Sequence, residues 1–246
     1  MKKYLHALAM CRSMFCAIPC FWRVWDEKAR DKMLLFLPVV GLEIGAIWAL
    51  LAWLCRYLAL PALVQGAVLG AYPFVVTGFI HLDGFMDVTD AVRSCRDLAR
   101  RREILKDSRV GSFAVIGVVL LALCQTALFA SAKAAASLWT LVLLPAVSRC
   151  GSALAVTALR PMSTSQYAAQ KKPKSHIIVL CAQLAVYLAA GFLAGWRTGA
   201  ALCGCLAGYA LALRKAFRSL DGMNGDISGY ALTLSELCGA AVWALI

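Results

Sequence analysis

Carboxylates are scarce in this sequence. Only 13 Asp and Glu stand against 25 Lys and Arg, for a net charge of +12, and charge of either sign makes up just 15% of the chain. The 11 cysteines include no CxxC pair, which removes the commonest zinc and dithiol spacing. Cys11, Cys16 and Cys20 cluster without metal-ligand spacing. Cys55, Cys124, Cys150, Cys181, Cys203, Cys205 and Cys238 lie in apolar runs, where cysteine acts as a small hydrophobe. The start MKKYLHALAMCRSMFC has its apolar run broken by Arg12 and no small-residue cleavage site after it, so a signal peptide is not expected. No internal repeat, low-complexity tract or soluble domain stands out, and the matched broken helices of inverted-repeat transporters are missing. No basic domain with interleaved aromatics occurs, so the positive charge does not point to nucleic acid.

Apolar residues are abundant instead. They make up 62% of the chain, against roughly 45–50% in soluble domains. Seven runs approach the ~20 residues that a membrane helix needs: 34–55, 61–80, 111–130, 136–159, 176–195, 199–213 and 228–246. Between them the Lys and Arg count alternates 7, 1, 7, 1, 4, 1, 3, leaving only Arg149 inside a run. Basic residues are retained on the cytoplasmic side. The expectation is therefore an all-α, polytopic membrane bundle of about seven helices with a cytoplasmic N-terminus. Residues 1–246 read as one integral membrane domain. Residues 1–33 form an N-terminal segment with Phe21, Trp22 and Trp25 at headgroup level, and 81–110 a cytoplasmic acidic and basic loop.

Against this background the stretch HLDGFMDVTD, His81–Asp90, needs a cause. On a helix, Asp87 and Asp90 fall about 40° and −20° from Asp83, so the three carboxylates share a face. Like charges so placed repel, and a hard divalent cation such as Mg²⁺ would offset them. Gly84 would allow a backbone or substrate to approach closely. His81 reads either as an interfacial histidine or as a base or phosphate contact. Downstream, EILKDSRVGSF supplies Lys106 and Arg109 as phosphate donors. Ser108 is a candidate cap for the next helix, and the amides near Gly111 a candidate anion site.

Three further groups lie later in the chain. Arg149, in PAVSRCGS, is a functional-site candidate by virtue of being intramembrane, with Glu43 as its expected partner. Asp226 sits at the mouth of the last run, on the cytoplasmic side and a candidate N-cap, and Glu236 lies deeper in it. Clustered loop charges with few intramembrane ones favour metal-dependent phosphoryl transfer over ion transport.

Five segments, in order over Phe36 to Leu237, resemble cobalamin synthases, the adenosylcobinamide-GDP ribazoletransferase family. GFIHLDGFMDVTDA is similar to the pattern G-G-x-x-H-x-D-G-x-x-D-x-x-D-G and REILKDSRVGSF to E-I-M-K-D-S-R-x-G-T-F. FLPVVGLEIGA resembles F-P-L-x-G-x-x-x-G-A, LLPAVSR ends in the family's S-R, and NGDISGYALTLSEL resembles T-G-D-x-x-G-A-x-x-E-L-x-E. Thr77, Ala91, Asn224, Thr233 and Glu43 depart from those patterns. A CDP-alcohol phosphotransferase is the alternative, but Asp87-Val88 stands where its A-R is expected.

The resemblance implies attack of the 5′-hydroxyl of α-ribazole, or of its 5′-phosphate, on adenosylcobinamide-GDP with loss of GMP, and it implies Mg²⁺. Asp83, Asp87, Asp90 and Asp226 become the expected metal ligands. Lys106, Ser108, Arg109, Arg149 and Glu236 become the substrate-binding set, with His81 a weaker candidate base. The expected partners are these two substrates and membrane lipid, with a homo-oligomer left open and no nucleic acid. The expected location is the inner cell membrane with the site facing the cytoplasm.

Overall fold

The computed structural model describes residues 2–133, 136–162, 165 and 173–246. Lys171 and Lys172, counted above in a basic loop, fall outside them. Helix α1 (Lys2–Phe15) is followed by an extended stretch and a 3-10 segment (Glu27–Phe36) that runs into α2 (Leu37–Tyr57). Then come α3 (Ala62–Val76), α4 (Ile80–Arg93), α5 (Leu98–Ile104), α6 (Ser112–Ala130), α7 (Leu138–Ala158), α8 (Lys174–Leu193), α9 (Trp196–Leu220) and α10 (Gly225–Leu245). Among the described residues there is no strand, only one isolated bridge between Pro161 and Met223. The expected all-α bundle is what forms. Phe21, Trp22 and Trp25 are exposed, on the extended stretch.

Among the described residues, five segments are long and apolar enough to cross a membrane: Glu27–Tyr57, α6, α7, α8 and α9. A sixth arises if α3 and α4 count as one span, although a 91° bend separates them. The expected single helix over 61–80 is thus broken. Pro73 brings no N–H to the α3 ladder, and the Thr77 hydroxyl donates to the Pro73 carbonyl at 2.8 Å. Gly78 and Phe79 then take left-handed φ of 59° and 64°. Glycine does this freely, whereas for phenylalanine it costs about 1–2 kcal/mol. Residues 81–110 are accordingly not an open loop but α4, α5 and short connectors.

The seventh run, α10, has 21 residues, a length of about 31 Å at the helical rise. It is not among the strongly apolar helices. It packs against α9, α4 and α7 and buries Ser228, Thr233, Ser235 and Glu236. A helix surrounded by protein can carry polar groups that a lipid-facing one cannot. Lipid-type surfaces lie elsewhere, as on α6 with Val115, Val119 and Leu123 exposed.

The α2–α7 contact rests on two glycines. A Cβ on Gly41 would lie 2.5 Å from the Pro145 carbonyl oxygen, and one on Gly45 2.1 Å from that of Val142. Small residues of this kind let membrane helices approach closely. We expect Gly45→Val to force the helices apart at a cost of about 1–3 kcal/mol, lowering the thermal midpoint in detergent. Leu50→Ala, at an exposed position of the same helix, should leave the midpoint nearly unchanged. Equal midpoints for both variants would contradict this packing.

Candidate active site

The site forms where α4 crosses the first turns of α10. A Cβ on Gly84 would lie 2.9 Å from the Asp226 backbone, and one on Gly229 3.2 Å from that of His81. Phe85 and Tyr230 stack beside the crossing, with centroids 5.7 Å apart. The backbone approach expected at Gly84 is therefore made, and α10 is what approaches. It carries Asp226 to the acidic face of α4.

Asp83, Asp87 and Asp90 share that face as the spacing predicts, and all three border one cavity of about 250 Å³. Lys106, Ser108 and Arg109 line its other side. The carboxylates differ in what they touch. Among the described residues Asp83 and Asp87 have no side-chain partner. Asp90 accepts from the Gly111 and Ala114 amides at 2.7 and 2.9 Å. These are free donors of the first turn of α6, so Asp90 fills the anion site expected near Gly111. Ser108 is not the cap of that helix: Asp90, from another helix, takes the amides it would have bonded.

Asp226 is not an N-cap either. Asn224 takes that place, its side chain accepting from the Ile227 amide at 2.9 Å and its Nδ2 donating to Asp226 Oδ2 at 2.7 Å. Asn and Thr both cap helices well, so the Asn224 departure keeps this function. Lys106 is exposed. Arg109 donates to Asp107, with Nη2 to Oδ2 at 2.7 Å, and these hydrogen bonds hold the Asp107 carboxyl down at about 2.

Arg149 is fully buried. Its partner is not Glu43 but Glu236, with Nη1 donating to Oε1 at 2.7 Å. Ser148 Oγ donates to the same oxygen at 2.8 Å. Glu43 instead pairs with Arg12, whose Nη2 donates to Oε1 at 2.7 Å. Both assignments depend on helix faces: α7 packs against α2 as well as α10, but α2 turns Gly41 and Gly45 to α7, which puts Glu43, two residues from each, on the other side of the helix with Arg12. His81 is 8% exposed, lies parallel to Phe15 at 6.1 Å and has its Nε2 buried without a partner among the described residues. Its carbonyl accepts from Thr233 Oγ1 at 3.3 Å.

Sequence reasoning missed Asp221, which follows α9 at φ 53°. Arg102 and Arg160 both bond to its carboxylate and to its carbonyl. Arg101 and Arg102 also cap the end of α9 through the Ser219 and Leu220 carbonyls. That anchors α5, and with it the connector bearing Lys106. The Asp221-Gly222 turn pair was the available signal. The oxygens of Asp83 and Asp87, without side-chain partners among the described residues, suit a hard cation. Among the described residues, no three His, Cys, Asp or Glu side chains converge closely enough to hold an ion by themselves.

The cobalamin-5-phosphate synthase family model matches residues 7–244. The chain belongs to that family. It is 34% identical to an adenosylcobinamide-GDP ribazoletransferase of Clostridium perfringens, over the whole of both chains. It is 32% identical to one of Clostridium botulinum over 97% of each. A protein of that name from Corynebacterium diphtheriae is 26% identical over 90% of this chain and 84% of its own. No solved structure matches. Three of the five segments that carry the family patterns build the α4–α10 crossing and the connector facing it, and the other two meet at the α2–α7 contact.

Removing one member of the buried Arg149–Glu236 pair leaves an uncompensated charge, at about 3–5 kcal/mol. Glu236→Met and Arg149→Met alone should therefore each lower the thermal midpoint sharply, and the double variant Arg149→Met/Glu236→Met should recover much of the loss. Additive losses in a double-mutant cycle would show that the two side chains are not coupled. A separate prediction concerns Gly84→Ala, which should cut activity at least tenfold by lifting α4 from α10. Full activity in that variant would deny the close crossing a part in the site.

Proposed function

We propose that this chain is an adenosylcobinamide-GDP ribazoletransferase, acting in assembly of the cobalamin nucleotide loop. The observation that carries this reading is the cavity shared by Asp83, Asp87, Lys106, Ser108 and Arg109, in a family whose curated members bear that name. The 5′-oxygen of α-ribazole, or of its 5′-phosphate, bonds to the cobinamide-linked phosphorus. The bond from that phosphorus to the GMP oxygen breaks with its electron pair, and the hydroxyl proton is released. Adenosylcobalamin, or its 5′-phosphate, and GMP result.

The residues divide this work. Lys106, Ser108 and Arg109 donate to the pyrophosphate oxygens, with Arg109 turning from Asp107 to do so. Asp226, at the junction of α4 and α10, orients the attacking hydroxyl. Asp90 holds the start of α6, and so the donor connector, against the acidic face. The Arg149–Glu236 pair ties α7 to α10 beneath the site, supporting substrate binding from below.

One or two of Asp83, Asp87 and Asp226 would hold Mg²⁺. Few protein ligands are needed, because magnesium commonly keeps waters and shares substrate phosphates with one or two carboxylates. When bound, the ion would neutralise charge developing on the pyrophosphate as GMP departs. The alternating basic loops favour a multi-pass placement in the cell membrane, with the N-terminus and this site on the cytoplasmic side.

The test is incubation of the detergent-purified protein with adenosylcobinamide-GDP, α-ribazole and Mg²⁺. GMP and adenosylcobalamin should form in equal amounts, and Asp83→Asn should lower turnover by roughly 10²-fold or more while still inserting and folding. No product from the wild type would overturn the reading. Wild-type turnover by Asp83→Asn would overturn the role of the acidic face.

A further inference from the structure

Asp83 borders more than the basic cavity. A second, more enclosed cavity of about 110 Å³ opens beside it, with Asp83 and Asp226 on its wall. A third, open groove of about 570 Å³ lies between α1 and the α3–α4 bend, again touching Asp83. Three spaces thus meet at one carboxylate, and the transfer proposed above brings three bulky groups to one phosphorus: a corrinoid, a guanosine phosphate and a nucleoside.

The enclosed cavity is selective by its size and its walls. An engineered apolar cavity of roughly 150 Å³ takes a benzene ring, so this one admits the edge of a flat base and excludes a corrinoid. Phe15, Leu34, Leu37 and Val156 make it largely apolar. Its two hydroxyls satisfy each other, Ser152 Oγ lying 2.6 Å from Ser228 Oγ. The Asp83 and Asp226 carboxylates belong to the junction with the phosphates. What remains is His81, stacked on Phe15, with its Nε2 buried and without a hydrogen-bond partner among the described residues. A buried polar group left unpaired is costly, and a ligand that supplies its partner binds for that reason.

We infer that this cavity is the base subsite for the attacking nucleoside, and that His81 recognises it through one hydrogen bond. The base of α-ribazole is a benzimidazole, flat and apolar, with a single ring nitrogen free once the sugar is attached. His81 Nε2, as an N–H donor, suits one such acceptor nitrogen. Guanine suits it poorly, because its amide and amino edge would bring several donors and acceptors to a wall that offers one. The sugar then lies at the cavity mouth, and its 5′-hydroxyl reaches the Asp83–Asp226 junction. His81 is on this account a specificity residue for the nucleophile, and the reaction does not use it as a base.

The inference rests on the transferase reading, and a substrate-side probe separates the two. The α-riboside of dimethylindole has the shape of α-ribazole with C–H in place of the free ring nitrogen. The wild type should transfer both nucleosides, with KM for the indole riboside roughly tenfold higher, one hydrogen bond's worth. His81→Phe keeps the stack on Phe15 and should lose that discrimination, its KM for α-ribazole rising about tenfold while KM for adenosylcobinamide-GDP stays within twofold. Equal wild-type KM values for the two nucleosides would overturn the subsite. So would a rise in KM for adenosylcobinamide-GDP in His81→Phe, which would put guanine in the cavity. Should His81→Phe fail to fold, the wild-type comparison still decides. Transfer of neither nucleoside would sink the transferase reading itself, and the subsite with it.

Discussion

The close crossing of α4 and α10 is the constraint on which the rest depends. Helices approach this closely only where side chains are absent, and Gly84 and Gly229 remove them on the two sides of the contact. Without that approach Asp226 would stand apart from Asp83 and Asp87, and the acidic face of α4 would border the basic connector alone. The crossing also sets the depth of His81, whose backbone faces Gly229. Charge placement, cavity shape and histidine burial therefore share one geometric cause.

Two other devices hold that geometry. Asp90 binds the first amides of α6, so the helix that begins after the donor connector cannot drift from α4. Asp221 collects Arg102 and Arg160 at the end of α9 and pins α5. Behind the site the Arg149–Glu236 pair joins α7 to α10. A pair like this adds little net stability compared with apolar packing, but breaking it is expensive, so it fixes which helices meet.

Much of this was legible in the residues. Apolar runs and alternating basic loops gave an all-helical bundle. Helical spacing placed Asp83, Asp87 and Asp90 on one face, and the basic stretch after them does line the same cavity. The break at Thr77–Phe79 was not legible, because proline and glycine occur in unbroken membrane helices as well. The partner of Arg149 was missed for a different reason. Glu43 and Glu236 are equivalent as sequence, and only the faces that α2 and α10 turn toward α7 distinguish them. Asp90 could not be separated from its neighbours by spacing, since its role is set by the start of a helix more than twenty residues later.

The central claim is that pyrophosphate chemistry occurs where α4 meets α10. An experimental structure of the protein with adenosylcobinamide-GDP bound tests it most directly. The account predicts the pyrophosphate beside Asp83 and Asp87, in hydrogen-bond contact with Lys106. It would be contradicted by a pyrophosphate at the opposite end of the bundle, in the cavity lined by Lys133, Trp196 and Arg197.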